Sequence, residues 1–388
     1  MRKIILGALW AAFILFGNIL LQSGCGTSSS PSNPGPSAPA DTATATRTST
    51  PTLIPGTPTG TSTNSPTPTS THTPTTTPTA TAVHPFIAKW GANGGDGTSG
   101  SAVGQFNQPG LLAMVGNYPF VADRNNHRIQ GYWCVSCPTY QWNLFVGSNG
   151  SGNGQFSYPD GVAANAAGTT IYVADSSNNR IQYFDAATGT YQGQWGSAGT
   201  GDSQFGGLFG VAVGSAGSVF AVEFSNNRVQ KFTATGGFLL KWGKNGGDGT
   251  SGGGDGEFAG PMGIMVDSSN RVLVVDRDNH RIQAFQALGG TFVAKWGKNG
   301  GDGSSGAGNG EFFLPCGIAE DAVGNYYVTD SGNNRVQKFN SSMGFLAKWG
   351  SAGTGDGQFN GPRGIGADAS GNVWVVDNGN NRVQEFGP

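Results

Sequence analysis

Charge is scarce in this 388-residue chain. Lys and Arg number 21 and Asp and Glu 23, together 11% of residues, with four histidines beside them. Once Arg2, Lys3, Arg47 and Asp41 are set aside, residues 84–388 hold 18 basic and 22 acidic side chains. A nucleic-acid or anionic-membrane surface calls for a basic excess, and this stretch has none. Histidine is scarcer still: beyond His72, only His84, His127 and His280 remain for chemistry that needs an imidazole. Glycine, in contrast, reaches 67 residues, and aromatics make up 11%. Glycine-rich turns between aromatic segments point to an all-β fold rather than to disorder.

Long apolar runs are equally rare, and the one present opens the chain. After Met1-Arg2-Lys3 comes an 18-residue apolar stretch from Ile4 to Leu21, then "LQSGCG". A short positive head, an apolar centre and small residues before a cleavage point describe an export signal over residues 1–24. "QSGC" resembles the bacterial lipobox, which implies that Cys25 is lipidated and becomes the new N-terminus. An uncleaved anchor is the alternative, since about 18 apolar residues can just span a bilayer. Either way the bulk of the chain is expected outside the cytoplasm, on the cell envelope or surface. Residues 25–83 are Thr, Pro, Ser and Ala with almost no charge. Such a segment cannot bury a core, and its prolines favour extended polyproline-II conformations. At about 3.1 Å per residue the roughly 55 residues from Thr27 to Ala82 would reach about 170 Å as a stalk. His72 lies within it as a solvated residue.

The remainder repeats itself. Arginines at 128, 180, 228, 281, 335 and 382 each follow an acid five residues earlier: Asp123, Asp175, Glu223, Asp276, Asp330 and Asp377. Each unit begins with "GQF" (Gly104, Gly154, Gly357), "SQF" (Ser203) or "GEF" (Gly256, Gly310) and passes through a Pro-x-Gly-like turn. Three short strand patterns and a fourth ending in "KWG" or a relative complete it. Four strands per unit of about 50 residues describe a β-propeller blade. The Phe of "GQF" and the Trp of "KWG" (Trp195, Trp242, Trp296, Trp349) are then expected to fill the spaces between blades. The sixth unit ends at "VQEFGP", after its third strand, whereas "PFIAKWG" from Pro85 matches "GFLAKWG" from Gly344. The N-terminal strand is therefore expected to complete the last blade, removing the open edges that invite mispairing. The fold expected for residues 84–388 is all-β: a six-bladed propeller of four-stranded antiparallel blades, monomeric, closed by its first strand.

The runs "DRNNHRIQ", "DSSNNRIQ", "EFSNNRVQ", "DRDNHRIQ", "DSGNNRVQ" and "DNGNNRVQ" resemble the NHL repeat. The resemblance implies the six-bladed fold. It leaves function open, because that family includes RNA binders, lyases and sensor ectodomains. Each acid and its arginine are expected to face each other across the turn between second and third strands. An Arg–carboxylate fork would fix that turn, and the motif Asn would satisfy turn backbone groups. These twelve residues read as scaffold. Arg128 to Arg281, Arg180 to Arg335 and Arg228 to Arg382 are 153, 155 and 154 residues apart, which suggests a duplicated three-blade block. His127 and His280 then lie in opposite blades, too far apart to share a metal, and are expected to decorate their turns.

One position does not repeat. The central residue of the Pro-x-Gly turn runs Gly110, Asp160, Phe209, Met262, Cys316 and Arg363. Placed near the channel mouth, Asp160, Phe209, Met262, Cys316 and Arg363 form the candidate ligand-binding rim. The "NGGDG" loops put Asp96, Asp248 and Asp302 forward as calcium ligands, although Asp-Gly is also plain turn chemistry. No other cofactor is expected. Cys134 and Cys137 are expected to form a local disulfide in an oxidising exterior, and Cys316 to stay unpaired on the opposite face. No Ser–His–Asp arrangement is supported by spacing. The reading that follows is a surface-tethered, non-enzymatic binding or scaffolding propeller for an envelope or extracellular protein or glycan. An extracytoplasmic lyase or hydrolase is the alternative, and an RNA-binding propeller a more distant one.

Overall fold

The computed structural model describes residues 84–388, apart from 137 and 138 and the side chains of 134–139. The export signal, Cys25, the stalk and the Cys134–Cys137 pair lie outside the described residues. Six four-stranded antiparallel sheets follow one another along the chain. Blade 4 shows the plan: Pro261–Val266, Arg271–Asp276, Arg281–Gln286 and Phe292–Gly297, paired in that order. Its second strand is a continuous apolar run, Val272 to Val275, buried throughout. Neighbouring blades cover both of its faces. Side chains alternate between faces along a strand, so Val272 and Val274 pack with Phe220 and Trp242 of blade 3. Leu273 and Val275 pack with Tyr326 and Val328 of blade 5. Each such side chain contributes about 1.5–3 kcal/mol on full burial.

The core is accordingly divided into six interblade clusters. The "GQF"-type phenylalanines Phe106, Phe156, Phe205, Phe258, Phe312 and Phe359 are all fully buried in these clusters. Trp242 and Trp349 are buried among them, and Trp195 and Trp296 pack at their edges.

Ring closure follows the expected route. Phe86–Gly91 pairs antiparallel with Arg382–Phe386, and that sheet runs on to the second and first strands of blade 6. Trp90 carries the joint: its ring stacks on Trp374 at 5.0 Å and meets Trp142 of blade 1 edge-on at 6.2 Å. Just before the strand, His84 is buried, stacked on Trp349 at 4.5 Å, with Nδ1 2.5 Å from the Gly387 carbonyl.

Candidate functional site

The repeated acid, asparagine and arginine build the platform on which the channel mouth stands. In blade 4, Asp276 faces Arg281 across the strand pair, both fully buried. Arg281 Nε donates to Asp276 Oδ2 at 2.7 Å, but the fork expected between guanidinium and carboxylate does not form. Nη1 donates instead to the Gly253 carbonyl at 2.8 Å, and Nη2 to Gly254 and Glu257 at 2.8 and 3.0 Å. Nη1 also donates to the Gly301 carbonyl at 3.3 Å, so four carbonyls take all four Nη hydrogens and none is left for a second carboxylate bond. Asn279 Nδ2 bridges Asp276 Oδ2 (2.9 Å) and the Gly252 carbonyl (2.8 Å), so it links acid to incoming loop rather than capping its own turn. Gln283, to which sequence reasoning gave no role, donates to Asp276 Oδ2 and the Glu257 carbonyl and accepts from Gly256 N. Its signal was present: a glutamine follows two places after every motif arginine. Arg128, Arg180, Arg335 and Arg382 bond Asp123, Asp175, Asp330 and Asp377 likewise at 2.7–2.8 Å. Glu223 reaches Arg228 at 2.6 Å, its extra methylene absorbed.

His127 and His280 do more than decorate. Each is a left-handed residue ending its turn, at φ 55° and 51°. His127 Nδ1 accepts from Tyr158 N, and His280 Nδ1 from Leu314 N, both at 3.1 Å and both across to the next blade. Asn227, Asn334 and Asn381 do the same through Oδ1, from Gly260, Gly361 and Gln108 at 2.8–2.9 Å. Asn and His share what this position needs, tolerance of left-handed backbone and a side-chain acceptor. Burial, more than any neighbouring charge, holds both imidazoles below their ordinary 6.5.

Nearer the axis the innermost strands almost touch. A Cβ on Gly263 would lie 2.3 Å from the Cys316 carbonyl, and one on Gly317 2.2 Å from that of Arg363. These glycines are needed for space. Leu112, Val162, Val211, Ile264, Ile318 and Ile365 line the axial cavity together with the backbone of Gly263 and Gly317. At its mouth Leu111, Phe209, Met262 and Cys316 close into one buried cluster, with Phe224 packed against it. Sequence reasoning took Gly110 as blade 1's contribution, but Leu111 is the side chain that enters the cluster, standing where other blades have glycine. Cys316 is disulfide-bonded, contrary to the free thiol expected, and its partner sulfur lies outside the described residues.

The remaining rim residues form a charged half. Asp160 and Arg363 are buried, at 4% and 3% exposure. Arg124, directly after the blade 1 acid, pairs through Nε with Asp160 Oδ1 at 2.8 Å and lies over the Tyr158 ring at 5.0 Å. Arg363 Nε and Nη1 find no hydrogen-bond partner among the described residues. Burial pulls the Arg363 guanidinium down to about 10, and Arg124 and Arg277 lower it further while Asp160 opposes them. Burial likewise raises the Asp160 carboxyl, against Arg124 and Arg363. Thr329 Oγ1 donates to the Arg363 carbonyl at 2.7 Å, fixing the backbone there. Arg277, in the blade opposite Arg124, pairs with Asp278. Two aromatic side chains stay exposed here, Tyr158 at 39% and Phe313 at 40%, against His127 and His280 respectively. The residue after each acid thus reaches the mouth, and its variation from blade to blade (Arg124, Ser176, Phe224, Arg277, Ser331, Asn378) was the signal for it.

The "NGGDG" aspartates stand apart from this face chemistry. Asp248 accepts from Thr250 N and Oγ1 and from Asn245, which together hold its carboxyl down to about 2. Asp302 is held at about 2 by Ser304 and Asn299, and Asp96 is lowered by Thr98 and Asn93. Among the described residues no three His, Cys, Asp or Glu side chains gather in a metal-ligand group.

Residues 156–184, 258–285 and 359–386 match the model of the NHL repeat, each running from a "QF"- or "EF"-type phenylalanine to the end of a third strand. The chain is 31% identical over 145 residues to "Protein brain tumor" of Drosophila melanogaster, covering 37% of this chain and 13% of that protein. To the NHL repeat-containing protein 3 of Mus musculus it is 31% identical over 94 residues, 24% of this chain and 26% of the relative. The chain thus spans between about an eighth and a quarter of these relatives. A crystal structure of a protein of unknown function from Bacteroides thetaiotaomicron superposes with a TM-score of 0.56 at 16% identity, covering 75% of this chain and 73% of that one. That likeness shows the fold.

Proposed function

We propose that this chain, which carries NHL repeats on a six-bladed propeller, is a non-enzymatic binding module that engages a protein partner at its channel mouth. One observation carries the reading. The positions nearest the axis differ from blade to blade, whereas the acid, asparagine, arginine and glutamine around them are occupied in scaffold bonds. Exposed Tyr158 and Phe313, with partly exposed Arg124 over Tyr158 and partly exposed Arg277, suit recognition, because aromatic and arginine side chains dominate binding energy at protein interfaces. His127 and His280 support the reading too, since each already serves as an interblade acceptor rather than facing a substrate. The export signal and stalk would hold the propeller outside the cytoplasm, tethered to the envelope through Cys25 or through an uncleaved anchor. A glycan is the second class of partner this face would be screened against.

The test is a binding screen against envelope proteins and cell-wall glycans, with and without chelator. It is repeated on a variant combining Phe209→Ala, Met262→Ala and Arg363→Met. Retained protein capture by wild type and loss by the variant support the mouth. Undiminished capture by the variant rejects it.

A further inference from the structure

The mouth has two unlike halves. Leu111, Phe209, Met262 and Phe224 make one side apolar. The other gathers Arg124, Arg277 and Arg363 against two carboxylates, Asp160 and Asp278, each already paired with its own arginine. Arg363 is left over. It is 3% exposed, and two of its nitrogens meet no acceptor among the described residues. A buried guanidinium without an acceptor is costly, and an incoming anionic oxygen would relieve that cost. Thr329 holds the Arg363 backbone, so the charge is presented from a fixed point.

Resting on the mouth as the binding face, we propose that the ligand group taken there is a carboxylate on Arg363, offered by a peptide that carries an apolar side chain beside the acid. Charge selects the carboxylate, and the Leu111–Phe209–Met262 side selects the apolar neighbour. A sugar acid would answer the charge but would set hydroxyls against the apolar side chains of Leu111 and Phe209, which offer no hydrogen bonds. The peptide is therefore the occupant favoured.

The experiment uses the full chain in detergent and two fluorescent peptides, one alternating Leu with Glu and one alternating Leu with Gln. Polygalacturonate and inorganic phosphate serve as competitors. Wild type is expected to bind the Glu peptide about tenfold more tightly, the scale of one charge-assisted hydrogen bond. Arg363→Met should abolish that preference without lowering the melting temperature, because it removes a buried charge whose Nε and Nη1 make no hydrogen bond. Equal binding of both peptides by wild type, or a preference that survives Arg363→Met, overturns the proposal. So does polygalacturonate or phosphate binding that depends on Arg363 while neither peptide binds. Phe209→Ala separates the two levels of inference. If it weakens both peptides equally while no charge preference exists, the mouth stands and the carboxylate falls. If it changes neither, the mouth itself is rejected.

Discussion

Arg281 divides its nitrogens between one carboxylate and four backbone carbonyls, and this division explains why the motif repeats. The incoming loop is rich in glycine and has little side-chain packing of its own, so the guanidinium shapes it from below. Arg281→Ala would leave Asp276 away from water without its cation, a loss on the order of 3–5 kcal/mol. The expected outcome is a lower denaturant midpoint, and an unchanged midpoint would show that the pair holds nothing. The imidazoles give a second test at this scale. Neutral His127 and His280 accept hydrogen bonds, and protonated imidazoles cannot. Their folded pKa lies below 6.5, so the unfolded chain binds protons first as pH falls. Their contribution is therefore complete above 6.5 and is lost as pH drops through the depressed folded values. A double His127→Asn, His280→Asn variant should show a shallower fall in melting temperature between pH 7.5 and 5. His84, also held low chiefly by burial, keeps some slope in place. An identical slope in the variant would remove the interblade role. Sequence spacing brought acid and arginine face to face, but it does not say where each donor points. The missing fork, the Asn bridge and the histidine acceptors depend on donor directions that spacing does not carry, whereas Gln283 was marked by its recurrence in every motif.

The innermost strands are elements defined by what they lack. Gly317 has ordinary backbone angles, so its demand is for room beside the Arg363 carbonyl. Gly317→Ala would push neighbouring strands apart at a cost of about 1–3 kcal/mol. Thermal unfolding of that single variant checks it, and wild-type stability would mean the strands are looser than drawn. Strand order, the pairing of acid with arginine and the varying turn position were all legible in the repeat pattern. Leu111 was not, because aligning Pro109-Gly110 on Pro-x-Gly hides that blade 1 places its side chain one residue later. Arg124 and Arg277 were visible as charges, but their approach to the mouth depends on how each turn folds back over the neighbouring blade.

At the scale of the whole molecule, closure by Phe86–Gly91 is what turns a row of blades into a ring. Deleting residues 85–91 exposes an edge of Arg382–Phe386 and removes Trp90 from between Trp374 and Trp142. Melting temperature should drop by at least ~5 °C, from a loss of a few kcal/mol in a domain of this size. No change would mean the ring closes otherwise. Repeat counting showed this architecture plainly, since six copies and a stray fourth strand admit one arrangement. The same repetition says little about what binds, because positions that repeat are scaffold. Only those that differ carry information about a ligand.

The most direct measurement of that claim is hydrogen–deuterium exchange on the full chain, with and without a partner protein captured in the screen. Protection should fall on 108–112, 158–162, 208–211, 261–264, 315–317 and 362–365 and on the turns at 123–127 and 276–280, where the mouth lies. Protection confined to the outer strands, such as 238–243 and 292–297, would place the partner on the propeller's side and contradict the account.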